Sequence, residues 1–145
     1  MSMKQILIIN GPNLNLLGTR EPEIYGYKTL ATVEDMCAEK ATSLGWSIDF
    51  RQSNHEGNLV DWVQEANTHF DGLIINAAAY THTSIALHDA LKSLTIPIIE
   101  VHLSNPKERE DFRHHSYVEP FAATIITGQG ADGYVTALDS LTSHL

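Results

Sequence analysis

Cysteine is nearly absent from this chain: Cys37 stands alone among 145 residues, which excludes an internal disulfide framework and a thiolate metal cluster. Basic residues are also scarce. Nine Lys and Arg face 18 Asp and Glu, a formal net charge of -9, so neither nucleic acid nor an anionic membrane surface is an expected partner. No apolar run approaches the ~18 residues of a membrane-crossing helix. The start carries no signal-peptide pattern, because Lys4 is followed by a short apolar run that Asn10 stops. The expected compartment is the cytoplasm. The lysines are poorly placed for imine chemistry. A Schiff-base enzyme needs one buried on a strand, whereas Lys4, Lys28, Lys40, Lys92 and Lys107 read as termini, helix faces or loops.

What is present alternates between strand and helix. Lys4–Asn10 and Gly72–Asn76 are apolar runs that read as central strands. Trp46, Ile48 and Phe50 alternate with polar residues, as an edge strand does. Ile98–His102 and Ala123–Thr127 complete five strands. Leu30, Val33, Cys37, Ala41 and Leu44 recur at helical spacing up to Gly45, as do Leu59, Trp62, Val63, Ala66 and Phe70. A third helix is expected to open at Thr81–Ser84, capped by Thr81 or Thr83, and to run to about Leu94. A last one carries Val135, Leu138, Leu141 and Leu145 on one stripe. Residues 1–145 thus read as a single catalytic domain of the α/β class. The expectation is a flavodoxin-like three-layer sandwich around a five-stranded parallel sheet of order 2-1-3-4-5.

In that order the carboxyl ends of strands 1 and 3 form a crevice, and two overlong loops meet there. One runs from Asn10 to Tyr25, roughly three times the usual ~2–6 residues of such a connection. It carries Asn13, Arg20 and Tyr25, stiffened by Pro12 and Pro22, with Gly18 and Gly26 as candidate hinges. The other runs from Leu103 to Ala122, with a short helix expected around Glu108–Phe112. Three of the four arginines (Arg20, Arg109 and Arg113) lie in these loops, and Arg51 does not. Loop arginines in an acidic chain suggest a local pocket for a small anion.

Glu100 and His102 lie two apart on strand 4 and point to one face. The carboxylate can hold the imidazole in one orientation, making His102 a candidate acid or base. A phenol needs a neighbouring cation to act as a base at neutral pH, and Arg20 can serve Tyr25 in that way. Asn76 ends strand 3. His82 opens the third helix, and Asp89 follows two turns later, ~10.5 Å along the axis. A small ligand at the helix start reaches His82 and not Asp89, which is then a surface carboxylate or a residue offered to a neighbouring subunit. Backbone N–H groups at that helix start, and around Leu103-Ser104, can take a carboxylate.

Five segments together resemble one family. They are G-P-N-L-N-L-L-G-T-R-E-P-E-I-Y-G from Gly11, R-Q-S-N-H-E-G from Arg51, Y-T-H-T-S-I-A-L-H-D-A from Tyr80, I-E-V-H-L-S-N from Ile99 and R-E-D-F-R-H-H-S-Y from Arg109. In order and spacing, over nearly the whole chain, they are similar to the type II 3-dehydroquinate dehydratases. The resemblance implies a trans (anti) dehydration of 3-dehydroquinate to 3-dehydroshikimate through an enolate, without metal or cofactor, in the shikimate pathway. The same reaction also serves catabolic use of quinate. It implies that Tyr25 is the base, Arg20 its cation, His102 the acid, and Asn13 the holder of a water against the enolate oxygen. It places Asn76, His82, Leu103, Ser104 and Arg113 on the substrate, with Arg109 nearby and Asp89 supplied from an adjacent subunit of a homododecamer, a tetramer of trimers. One departure is Ala77-Ala78-Ala79, where the family often has Pro-Gly-Ala. The two alanines leave that turn less prescribed, though alanine can adopt most conformations with negative φ. The competing reading is a flavodoxin-like binding or receiver module. A receiver needs an Asp at the end of strand 3 and a Lys after strand 5, where Asn76 and Thr127-Gly128 stand.

Overall fold

A computed structural model describes residues 3–19 and 21–145, with the side chain of Tyr25 outside the description. Arg20 and the Tyr25 side chain, both expected in the site, therefore lie outside the described residues.

The strands are β1 (Gln5–Asn10), β2 (Ser47–Gln52), β3 (Gly72–Asn76), β4 (Ile98–Val101) and β5 (Thr124–Ile126), in the order β2-β1-β3-β4-β5 and all parallel. β1 and β3 are buried on both faces from Ile6 to Asn10 and from Gly72 to Asn76, which is why their sequences are unbroken apolar runs. β2, at the edge, is only half-buried throughout. The helices are α1 (Pro22–Tyr25), α2 (Leu30–Ser43), α3 (Glu56–His69), α4 (Ile85–Lys92) and α5 (Asp132–Leu141). One core layer packs α2 and α5 on Ile6, Ile8, Ile74 and Ile99. The other packs α3 and α4 on Leu7, Ile9, Leu73 and Ile75. No described helix is long and apolar enough to cross a membrane.

Three local expectations are corrected. α4 does not begin at Thr81 or Thr83. Residues Ala78–His82 form a 3-10 turn, and Ser84 is the cap, its Oγ accepting from Leu87 N at 2.9 Å. Thr81 is held otherwise, its carbonyl accepting from Tyr117 N at 2.8 Å. The buried stripe of α5 is Tyr134, Ala137, Leu138 and Leu141, with Leu145 left 38% exposed beyond the helix end. The phenol of Tyr134 is satisfied inside the protein, so the residue packs as a core side chain despite its hydroxyl. The long second loop has no single helix at 108–112. It holds 3-10 turns at Pro106–Glu108, Asp111–Arg113 and Glu119–Phe121, with Arg109 extended between the first two.

Candidate active site

The exits of β1 and β3 are locked together. Gly11 N donates to Asn76 O at 2.8 Å, and a Cβ on Gly11 would lie 2.4 Å from the Ala77 carbonyl oxygen, so only glycine fits. The loop after β1 is tied down by the loop after β2. Gln52 Nε2 donates to Gly11 O (3.1 Å) and to Asn54 Oδ1 (3.1 Å), and Asn54 Oδ1 also accepts from Asn13 N (3.0 Å). These bonds hold Asn13 in a left-handed conformation, φ 70°, which asparagine tolerates. The rest of the loop leaves through a neck. Gly18 sits at φ +90° so close to the returning chain that a Cβ would be 3.0 Å from Tyr27 O.

Asn76 is buried and its amide is shared. Nδ2 donates to Tyr134 Oη at 3.0 Å, Oδ1 accepts from Ala78 N at 3.1 Å, and one amide hydrogen remains for the cavity it lines. Tyr134 in turn donates to Asn10 Oδ1 at 2.6 Å, and its burial raises the phenol pKa well above the usual value. It is a strut and not an acid. The turn after Asn76 takes a shape that its alanines left open. Ala78 adopts φ 52°, the left-handed region, in place of the negative φ that alanine prefers.

His102 follows β4, and its N–H extends the ladder to Ile126 O at 2.9 Å. The expected partnership with Glu100 is present: the ring Nε2 lies 2.6 Å from Glu100 Oε2, with both residues buried. His82 stacks on His102 with ring centres 6.5 Å apart, and its Nδ1 donates to the His115 carbonyl at 2.8 Å. Burial lowers the His82 pKa, so the ring is neutral at pH 7, with Nε2 left as an acceptor. The carbonyls of Leu103 and Ser104 are taken by Gly130 N (2.9 Å) and Gly128 N (3.2 Å), while their own N–H groups donate to no described residue.

The arginines are pre-aimed by Glu110, which the sequence reading missed. Its Oε1 accepts from Arg113 Nε at 3.1 Å and lies 3.7 Å from Arg109 Nε, and Arg109 also reaches Ser104 Oγ at 3.5 Å. A hydrogen bond from its own backbone N–H, and then the pairing with Arg113, lower the Glu110 carboxyl pKa below the usual range.

Asn13, Asn76, His82, His102, Leu103, Ser104, Arg109 and Arg113 all line one cavity at the carboxyl end of the sheet. A wider outer cleft shares Leu103, Ser104, Arg109 and Arg113 and is closed on its far side by Glu21, Ile24 and Tyr27 of the first loop. Glu100 lies behind His102 and faces a third, rear cavity. Asp89 is not brought to this site; it is exposed on α4. His82 precedes α4 instead of opening it, so the two-turn spacing does not apply, although the outcome for Asp89 is the same. Among the described residues no group of three or more His, Cys, Asp or Glu is placed to hold a metal ion. The arrangement offers a buried imidazole backed by a carboxylate, two aligned guanidiniums, and amide and N–H donors around a volume suited to a small oxygen-rich anion.

A family model described as dehydroquinase class II matches residues 4–142. The chain is 59% identical over 140 residues to a 3-dehydroquinate dehydratase of Dinoroseobacter shibae, covering 97% of this chain and 93% of that one. It is 57% identical over 144 residues to one of Variovorax paradoxus, covering 96% and 99%. The fold superposes on a crystal structure of type II dehydroquinase from Butyrivibrio crossotus with a TM-score of 0.95, at 48% identity over 98% of this chain and 99% of that one.

Proposed function

The chain belongs to the class II dehydroquinases and dehydrates 3-dehydroquinate in the shikimate pathway, and we propose that it does so by a trans elimination worked from two sides of the cavity. Tyr25, as phenolate beside Arg20, removes the proton from the carbon next to the ketone. The electron pair moves onto the carbonyl oxygen, where Asn13 holds a water against the enolate. Collapse of the enolate breaks the bond to the tertiary hydroxyl. His102, as imidazolium on Glu100, gives that oxygen a proton, and water leaves with the conjugated enone as product. The substrate carboxylate sits on the N–H groups of Leu103 and Ser104 with Asn76. His82 and Arg113 take hydroxyls, and Arg109 lies at the rim. The first loop acts as a lid that brings base and cation over the ligand.

One observation carries this reading: His102, backed by Glu100, meets Asn13, Asn76 and the paired arginines in one cavity at the switch point of the sheet. Residues 1–145 act as one catalytic domain, in the cytoplasm, with no metal or cofactor. Exposed Asp89 serves the site of a neighbouring subunit in a dodecamer built from trimers. A receiver module is not compatible with the family match.

Formation of the enone is followed by its ultraviolet absorbance, without added metal. Tyr25→Phe and His102→Ala each lose most turnover while keeping the circular dichroism of the parent. Parent-like turnover in either variant refutes that residue's role. Light scattering of the parent tests the assembly, and a fully active monomer refutes the shared role of Asp89.

A further inference from the structure

The contacts behind His102 settle more than its orientation. Ser116, in the second long loop, places its hydroxyl 2.7 Å from Glu100 Oε2, the same oxygen that meets His102 Nε2. The Ser116 oxygen also accepts from the backbone N–H groups of Val118 at 3.2 Å and Glu119 at 3.0 Å. A hydroxyl has two acceptor pairs and one hydrogen. Both pairs are used by backbone donors that cannot turn away, so the hydrogen has one direction left, toward Glu100. Oε2 therefore receives a hydrogen from Ser116, which disfavours a second proton on that oxygen and leaves it an acceptor toward the imidazole. Nε2 then carries the hydrogen of its bond, and Nδ1 is the nitrogen left for the substrate.

Glu100 has little else to hold it. Among the described residues its Oε1 is buried with no partner, as is Thr81 Oγ1, and both residues line the rear cavity. The hydrogen bonds that described residues make to the carboxylate fall on Oε2, and Ser116 makes one of them. The ionisable groups around the pair are His82 beside the ring, Arg109 and Arg113 across the front cavity, and Lys107, His114 and Glu119 across the rear one. None of these makes a hydrogen bond to Oε2.

We infer that Ser116 is a positioning residue for the elimination: it fixes Glu100 Oε2 as an acceptor and thereby sets the tautomer of His102, so that the acid donates from Nδ1. The inference rests on the reading of His102 as the acid. Removing a hydrogen bond to a charged group lowers turnover by about tenfold to a hundredfold. A residue that only shaped the loop would not change which ring nitrogen is protonated.

The test uses intact enzyme labelled with 15N in its histidine rings and sedimented for solid-state spectra, with His102 assigned by difference from His102→Gln. At a pH where the ring is neutral, the parent is expected to show His102 protonated at Nε2; the imidazolium that acts as the acid carries its second proton on Nδ1. Ser116→Ala is expected to mix the two tautomers and to lower kcat about tenfold or more at nearly unchanged KM. The basic limb of its pH profile should also move to lower pH, because a weaker carboxylate holds the imidazolium less well. Ser116→Thr, which keeps the hydroxyl, should restore all three. A parent spectrum showing His102 protonated at Nδ1 overturns the inference even should Ser116→Ala fail to fold. So does a folded Ser116→Ala with the parent's tautomer and pH profile. Parent-like turnover in His102→Gln overturns the acid assignment itself, and the tautomer spectrum distinguishes that failure from a failure of the Ser116 hold.

Discussion

Replacing Ala78 by glycine should leave the enzyme as stable as before or more so, against the usual effect of glycine. Ala78 stands at φ 52°, where an L-residue with a Cβ is strained by about 1–2 kcal/mol and glycine is not. Two losses oppose the relief. Glycine adds about 0.4–1 kcal/mol of unfolded-state entropy. Removing a half-buried methyl forfeits part of the ~0.8 kcal/mol that burying such a group contributes. With about half of that methyl term lost, the sum runs from a loss of about 0.4 to a gain of about 1.2 kcal/mol, centred on about 0.4 kcal/mol of stabilisation. Ala79 provides the control, because it lies in the same 3-10 turn and is not among the positive-φ residues. Ala79→Gly gains no relief and should cost about 0.5–1 kcal/mol. The two variants should therefore differ by about 1–1.5 kcal/mol, a gap of roughly 3–5 °C in melting temperature for a chain of this size. Calorimetry at one protein concentration measures it, with enone absorbance run in parallel. The Ala78→Gly variant should keep kcat, since Glu100 and His102 come from β4 and its exit and not from this turn. Equal drops in melting temperature for both variants would refute the strain argument.

Gly11→Ala should cost about 3 kcal/mol or prevent folding, because the new methyl meets the Ala77 carbonyl at 2.4 Å and both are backbone-fixed; a urea midpoint measures it, and a parent-like midpoint refutes the contact. The thiol of Cys37, pushed up to about 12 by burial and then by Glu34, should react with a disulfide reagent only as fast as the chain opens. Rapid stoichiometric labelling of the folded protein would contradict its burial. His82 is held neutral by burial, with a folded pKa below its unfolded value of about 6.5. Its contribution is present above that unfolded value and is lost as pH falls through the folded one, because the unfolded chain takes the proton first. Urea melts at pH 7.5 and 5.5 should show a smaller acid loss in His82→Gln than in the parent; an identical loss removes His82 from the account.

The sheet was legible because its central strands β1 and β3 are buried on both faces and read as unbroken runs of Ile and Leu. The helix faces were legible from spacing, with two exceptions that have physical causes. Thr81, Thr83 and Ser84 are all competent caps, and only the tertiary hold on Thr81 decides for Ser84. Tyr134 looks like a surface residue until its hydroxyl finds Asn10 and Asn76, partners 124 and 58 positions away. The loop 103–122 has no period to read, because its three short 3-10 turns alternate with extended residues. In the site, the Glu100–His102 pair followed from the alternation of a strand. Most other assignments followed from motif resemblance. Ser116, Glu110 and the Gln52–Asn54 brace carried no separate signal, since each acts on a residue rather than on a ligand. The family's usual glycine at position 78 was the available clue to the left-handed turn there.

The neck at Gly18 has a consequence for how such enzymes diversify. The two ends of the first loop come together where Gly18 lies against Tyr27 and Thr29. A segment attached at a single stalk can be exchanged as a cassette. Selection can rewrite the positions around the base and its cation while the sheet, the imidazole and the arginines below keep their sequence. Variation within the loop should then fall on positions other than Arg20 and Tyr25, and inhibitors that reach past the cavity into those positions should gain selectivity between relatives.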